Sequence, residues 1–324
     1  MSADAPGAFP DDDVDPEIRA WLTRMFAASA ALGSRPGRTP PERRAIAEAQ
    51  RAPWQLGGPV MAHSETLVVG PAGTRIRIHR PSTERDLPVL VYLHGGGWTL
   101  FSIDSHDRLM REYAGRAGVA VLGIDYPLAP ENRFPAAPDA IAEVLDWLRG
   151  HGAEHGLDPS RFAIGGDSAG ANLSLVAALR LRDAGAPMPR ALLLNYGAFD
   201  GAWTQSYEQY GDGDRYMLTC PEMDDFWASY LGKGWASASP PDPLARPLHA
   251  DLSALPPAWL CTARCDILLD ENVAMARHLE EAGVDAEMRI YDGATHSFLE
   301  AVAVSAIAGR ALAEASEWLA EKLA

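Results

Sequence analysis

The chain has 324 residues, 28 Lys+Arg against 44 Asp+Glu, and a formal charge of −16. Its 47% hydrophobic and 22% charged residues are ordinary globular usage and exclude a disordered chain. The acidic balance repels phosphate backbones and anionic membrane surfaces, so nucleic acid is not an expected partner.

Residues 1–14 are polar and acidic, read as a frayed start, and lack the apolar stretch of a signal peptide. Asp15, Pro16 and Glu17 then form a helix start: a capping carboxylate, a first-turn proline and a first-turn acid. Ile18, Trp21, Leu22 and Met25 follow at helical spacing and mark an apolar face. After a Gly/Pro/Arg-rich break, a second helix is predicted near 41–51. These helices precede every strand signal, so residues 1–55 read as an appendage.

From residue 65 the pattern changes. Residues 66–70 and 75–81 read as strands joined by a turn at Pro71-Ala72-Gly73. Leu87–Leu93 is a continuous apolar run, as expected of a strand covered on both faces. Strands at 119–124, 162–164, 191–194, 258–261 and 286–291 alternate with helices near 104–117, 139–150, 169–183 and 270–282, and a last helix carries Leu312, Ala315, Leu319 and Leu323. That alternation predicts a mostly parallel, doubly wound α/β sheet. It breaks between 200 and 250, a stretch rich in Trp, Tyr, Gly, Pro and Asp that reads as an insertion over the end of the sheet. Domain boundaries follow: 1–55 and 200–250 as cap, 56–199 and 251–324 as core. No apolar run is long enough to span a membrane.

Three cysteines, Cys220, Cys261 and Cys265, cannot close a set of disulfides, which points to a reducing, cytoplasmic compartment. Cys261 and Cys265 lack the companion pair of a zinc site, so no metal is expected.

Gly166-Asp167-Ser168-Ala169-Gly170 has the form G-x-S-x-G between an apolar strand and a helix. The glycines remove side chains that would clash in the bend, and the bend presents the Ser168 hydroxyl at a helix N-terminus, where developing negative charge is favoured. His94-Gly95-Gly96-Gly97-Trp98 ends the strand at 93. Its glycines leave the N–H groups of Gly96 and Gly97 open to a substrate oxygen, and the N–H of Ala169 joins them as an oxyanion hole. A hydroxyl nucleophile also needs a base and an orienting carboxylate. In the chain order Ser, acid, His, the base is His296, just past the strand ending at Tyr291; His278 falls in a predicted helix and reads as a surface residue. Asp266, just past the strand at 258–262, is favoured as the acid, with Asp292 as rival.

These residues resemble the hormone-sensitive-lipase-like group of α/β-hydrolase carboxylesterases. The likeness covers about residues 60–320 and rests on HGGGW, GDSAG, the acid of TARCDILLDE, the base of GATHSF, and YPLAPE followed by FPA. It implies an α/β-hydrolase fold with a helical cap, Ser168 as nucleophile, His296 as base, Asp266 as its partner, an oxyanion hole at Gly96, Gly97 and Ala169, and no cofactor. His94 then braces its loop rather than reacts. Three positions depart from the group's pattern: Pro127 for Arg, Ile267 for Pro and Ser297 for Gly. Pro127 removes a loop-bracing charge, but none of the three removes a reacting group.

The expected substrate is a small ester with a short or medium acyl group. Trp98, Trp203 and Tyr207 are the candidate substrate-binding residues, with Tyr210, Phe226, Trp227 and Tyr230 as further cap aromatics. An amide, lactone or sugar acetate would suit the same residues. A non-catalytic small-molecule receptor is the alternative of another class, disfavoured because Ser168, Asp266 and His296 are all present. A monomer or homodimer is expected.

Overall fold

The computed structural model describes residues 13–211, 215–237 and 239–324. Most of the expected frayed segment, residues 1–12, lies outside them. Val14, however, is buried, and the Asp15 N–H donates to the Gly293 carbonyl at 2.9 Å, so the chain is anchored before its first helix.

The core is one eight-stranded sheet in the order β1-β2-β4-β3-β5-β6-β7-β8. Its strands are β1 (His63–Val69), β2 (Thr74–Arg80), β3 (Leu87–Leu93), β4 (Ala120–Asp125), β5 (Leu157–Asp167), β6 (Leu192–Asn195), β7 (Ala258–Cys265) and β8 (Ala286–Thr295). β1 and β2 form an antiparallel hairpin, β2 also runs antiparallel to β4, and every pairing from β4 to β8 is parallel. The central strands are buried along their length, which is why β3 and β6 read as unbroken apolar runs rather than alternating ones. The chain forms the α/β-hydrolase fold.

The helices are α1 (Pro16–Ala31), α2 (Pro40–Arg51), α3 (Asp107–Ala117), α4 (Ala136–His151), α5 (Ala169–Asp183), α6 (Gln205–Tyr210), α7 (Cys220–Leu231), α8 (Leu269–Glu281) and α9 (Ala306–Leu323). In α1 the Asp15 carboxylate accepts the Glu17 and Ile18 N–H groups, while Ile18, Trp21, Leu22 and Met25 face the core. Thr39 and Glu42 form a capping box that starts α2, and Thr219 and Glu222 do the same for α7. Among the described residues, no helix is long and apolar enough to cross a membrane.

β8 runs four residues beyond its predicted end at Tyr291. The residues from Asp292 to His296 read as a loop, but the pairing of β8 with β7 continues to Cys265↔Thr295, so Asp292 to Thr295 lie within the strand. His296 therefore follows a strand end directly, as Ser168 and Asp266 do.

Candidate active site

Ser168 sits between β5 and α5 at φ 54° and ψ −118°, a conformation few side-chain-bearing residues adopt. A β-carbon on Gly166 would lie 2.2 Å from the Leu93 carbonyl oxygen, and one on Gly170 would lie 1.9 Å from it. The bend therefore closes on the end of β3 only because both positions lack side chains.

His296 Nδ1 lies 2.8 Å from Asp266 Oδ2, and His296 Nε2 lies 3.0 Å from Ser168 Oγ. All three residues are buried, with Ser168 6% exposed and His296 5%. The other oxygen of Asp266 accepts the Leu268 N–H at 3.0 Å, which fixes the carboxylate plane. The Tyr196 ring packs edge-on against the imidazole, centroids 5.0 Å apart. Asp292 is elsewhere: its side chain is 83% exposed and paired with Arg264. His278 is exposed on α8.

Gly96 and Gly97, at φ 113° and 57°, turn the chain after β3. Among the described residues, the N–H groups of Gly96, Gly97 and Ala169 donate to no protein acceptor. All three residues border the Ser168 bend or cleft, and Ala169 opens α5, whose dipole favours an anion there.

A buried network braces this loop. Asp167, next to Ser168, accepts from Tyr92 Oη at 2.7 Å and from the Gly95 N–H at 3.1 Å, and its second oxygen lies 3.4 Å from His106 Nε2. Burial disfavours both charges, but the attraction and hydrogen bond between them prevail: the Asp167 carboxyl is held below its ordinary value and His106 above its own. His94 is buried with Nδ1 2.8 Å from the Gly95 carbonyl, its ring stacked on Tyr126. Burial and the nearby charge of His106 lower its pKa to about 4. The ring's contacts are with Gly95, Tyr126 and His106, which support the loop.

Ser168 and His296 open into a cleft of about 700 Å³ lined by residues of α1, α2, α7 and the turns after β3 and β8. Phe26, Leu100, Phe101, Met217, Leu218 and Phe226 supply apolar wall. The three expected substrate-binding residues are not part of it. Trp98 is buried behind the glycine turn after β3, its ring stacked on Tyr230 of α7 with centroids 4.5 Å apart and its centroid 4.4 Å from that of Trp227. Trp203 is 70% exposed, and Tyr207 is buried away from the cleft on α6. Of the cap aromatics named from sequence, Phe226 alone lines it among the described residues. Trp227 and Tyr230 of α7 instead pack on Trp98 and dock the helix against the turn after β3. Composition marks the cap as aromatic but cannot say which way each ring points. Phe26 and Phe101 were missed altogether, since Phe26 lies outside the apolar face read for α1 and Phe101 falls just past HGGGW, outside any motif. Cys261 and Cys265 are buried and form no disulfide, as expected of core residues.

A family model described as the α/β hydrolase fold matches residues 90–300. The chain is 40% identical over 264 residues to the carboxylic ester hydrolase LipN of Mycobacterium tuberculosis, covering 79% of this chain and 68% of that protein. It is 36% identical over 232 residues to the ethyl acetate hydrolase of Pseudomonas putida, covering 69% and 71%. Among solved structures, the hyperthermophilic esterase of Pyrobaculum calidifontis superposes with a TM-score of 0.87 at 31% identity, covering 95% of this chain and 98% of that one. The chain thus belongs to the α/β-hydrolase family, within its hormone-sensitive-lipase-like carboxylic ester hydrolases.

Proposed function

We propose that the chain is a serine carboxylesterase acting on short-to-medium acyl esters through Ser168, His296 and Asp266. The observation that carries this reading is the hydrogen-bonded line Asp266–His296–Ser168, at 2.8 and 3.0 Å, beside three unoccupied backbone donors. Ser168 Oγ attacks the ester carbonyl as His296 Nε2 takes its proton. The N–H groups of Gly96, Gly97 and Ala169 hold the oxyanion, a role in which losing one donor costs ~10²–10³ in rate. The protonated His296 passes its proton to the leaving alcohol. Water, deprotonated by His296, then releases the acid by the same route in reverse. Asp266 keeps the Nδ1 proton in place and supports the imidazolium.

Residues 1–55 and 200–250 act as the cap over the core of 56–199 and 251–324. Three cysteines that form no disulfide favour a cytoplasmic setting. The three reacting residues come from one chain, which suits a monomer or a homodimer with independent sites. The cleft volume fits a small ester rather than a long triacylglycerol. p-Nitrophenyl esters of increasing acyl length test this: kcat/KM peaks at short or medium chains, and a peak at long chains overturns the substrate class.

A further inference from the structure

One helix of the cap touches the supports of both halves of the site. α2 carries Arg44 and Arg51, seven residues apart and so two turns along one face. Arg44 Nε donates to the Thr99 carbonyl at 2.9 Å, and its Nη2 donates to the Ala129 carbonyl at 2.8 Å. The same guanidinium holds Glu131 through both carboxylate oxygens, at 3.1 and 2.5 Å. The N–H groups of Thr99 and Leu100 close on the Gly96 carbonyl at 3.0 and 2.9 Å, and the Ala129 N–H donates to the Trp98 carbonyl at 2.9 Å. Arg44 therefore crosslinks the turn bearing Gly96 and Gly97 to the segment at 126–131, where Pro127 has no donor to offer.

At the other end of α2, Arg51 Nε donates to Glu300 Oε2 at 2.8 Å, with Nη2 3.4 Å from Oε1. Both side chains are buried, 5% and 4% exposed, and Arg51 also lies over the Phe101 ring at 4.5 Å. Glu300 lies in the short 3-10 turn Phe298–Ala303 that follows His296, and its N–H donates to the Ser297 carbonyl at 3.0 Å. Bonds of Arg44 to main-chain carbonyls act on the loop backbone itself, where a planar fork reaches several acceptors and an ammonium does not.

We propose that Arg44 and Arg51 are positioning residues of the esterase reaction, clamping the oxyanion loop and the base loop in one fixed relation through α2. The proposal rests on the roles assigned above to Ser168, His296, Gly96 and Gly97. It makes the cap helix part of the catalytic scaffold, beyond a wall for substrate.

The test is steady-state hydrolysis of p-nitrophenyl butyrate by wild type, Arg44→Ala, Arg44→Lys and the volume-keeping pair Arg51→Met/Glu300→Leu. The pair is used because Arg51→Ala alone leaves Glu300 buried without its counter-charge. Arg44→Ala is expected to lower kcat roughly 10–100-fold, short of losing an oxyanion donor outright, with KM within about threefold of wild type. Arg44→Lys is not expected to restore the rate. Added guanidinium ion, below denaturing concentration, restores part of kcat to Arg44→Ala and none to wild type. The double variant also loses kcat. If Arg44→Ala misfolds, Arg44→Gln is read in the same way. A folded Arg44 variant with kcat within about twofold of wild type overturns the clamp. So does a loss of rate that tracks only the folded fraction and shows no guanidinium rescue. An inactive wild type on every ester contradicts the esterase reading instead, so the two failures are distinct.

Discussion

Asp266→Asn is the sharpest perturbation of the proposed chemistry. Asp266 Oδ1 accepts the Leu268 N–H at 3.0 Å, and Oδ2 faces His296 Nδ1 at 2.8 Å. An asparagine of the same shape keeps its carbonyl on Leu268 and turns its NH2 toward Nδ1. The ring must then accept at Nδ1 and carry its proton on Nε2, which faces Ser168 Oγ at 3.0 Å. The base becomes a donor toward the nucleophile it should deprotonate. The same tautomer error in a serine protease triad lowers kcat by about 10⁴, equivalent to ~5 kcal/mol of barrier. The assay is kcat for p-nitrophenyl butyrate at fixed pH, with circular dichroism confirming the fold. Asp292→Asn is the control: its ion pair with Arg264 is exposed on both sides, 83% and 45%. Such pairs contribute about 0–1 kcal/mol, and none of it reaches the reacting atoms. A crippled Asp292→Asn beside an active Asp266→Asn would refute the assignment.

Two further outcomes follow from local geometry. Ser297 stands at φ 61° and ψ 15°, left-handed backbone that a glycine adopts without strain. Ser297→Gly should stabilise the fold by on the order of 0.5–1 kcal/mol, read as a small rise in Tm, with kcat little changed. Glu271 is fully buried, and burial raises its pKa to about 8, against the pull of the Asp200 and Phe199 N–H groups it accepts. Because the folded chain holds this proton where the unfolded chain has lost it, its contribution is complete below about pH 4.5 and is lost as pH rises through about 8. Glu271→Gln should therefore gain Tm relative to wild type steadily between those values, and a pH-independent difference would contradict a buried neutral acid.

What the sequence made legible was local. The strand, bend and helix around Ser168 are contiguous, and the glycines that permit the bend stand beside the nucleophile. The core strands announced themselves because burial on both faces leaves only apolar residues. Long-range features stayed hidden. The end of β8 depends on pairing with β7 up to Thr295, which carries the strand into residues that read as a loop after Tyr291. Trp98 looked placed for substrate because it follows Gly97, yet with left-handed backbone at φ 58° its ring stacks on Tyr230 of α7. Arg44 and Arg51 carry no signal in the sequence, since their acceptors lie 55 to 249 residues further along the chain.

Ser168→Ala tests the central claim most directly. The variant keeps the fold and the cleft but has no oxygen to attack the ester. Wild type should hydrolyse p-nitrophenyl butyrate and be labelled stoichiometrically by a phosphonate ester, while Ser168→Ala should lose turnover by several orders of magnitude and take no label. A folded Ser168→Ala variant that turns over at the wild-type rate, or a phosphonate adduct on another residue, would contradict the account.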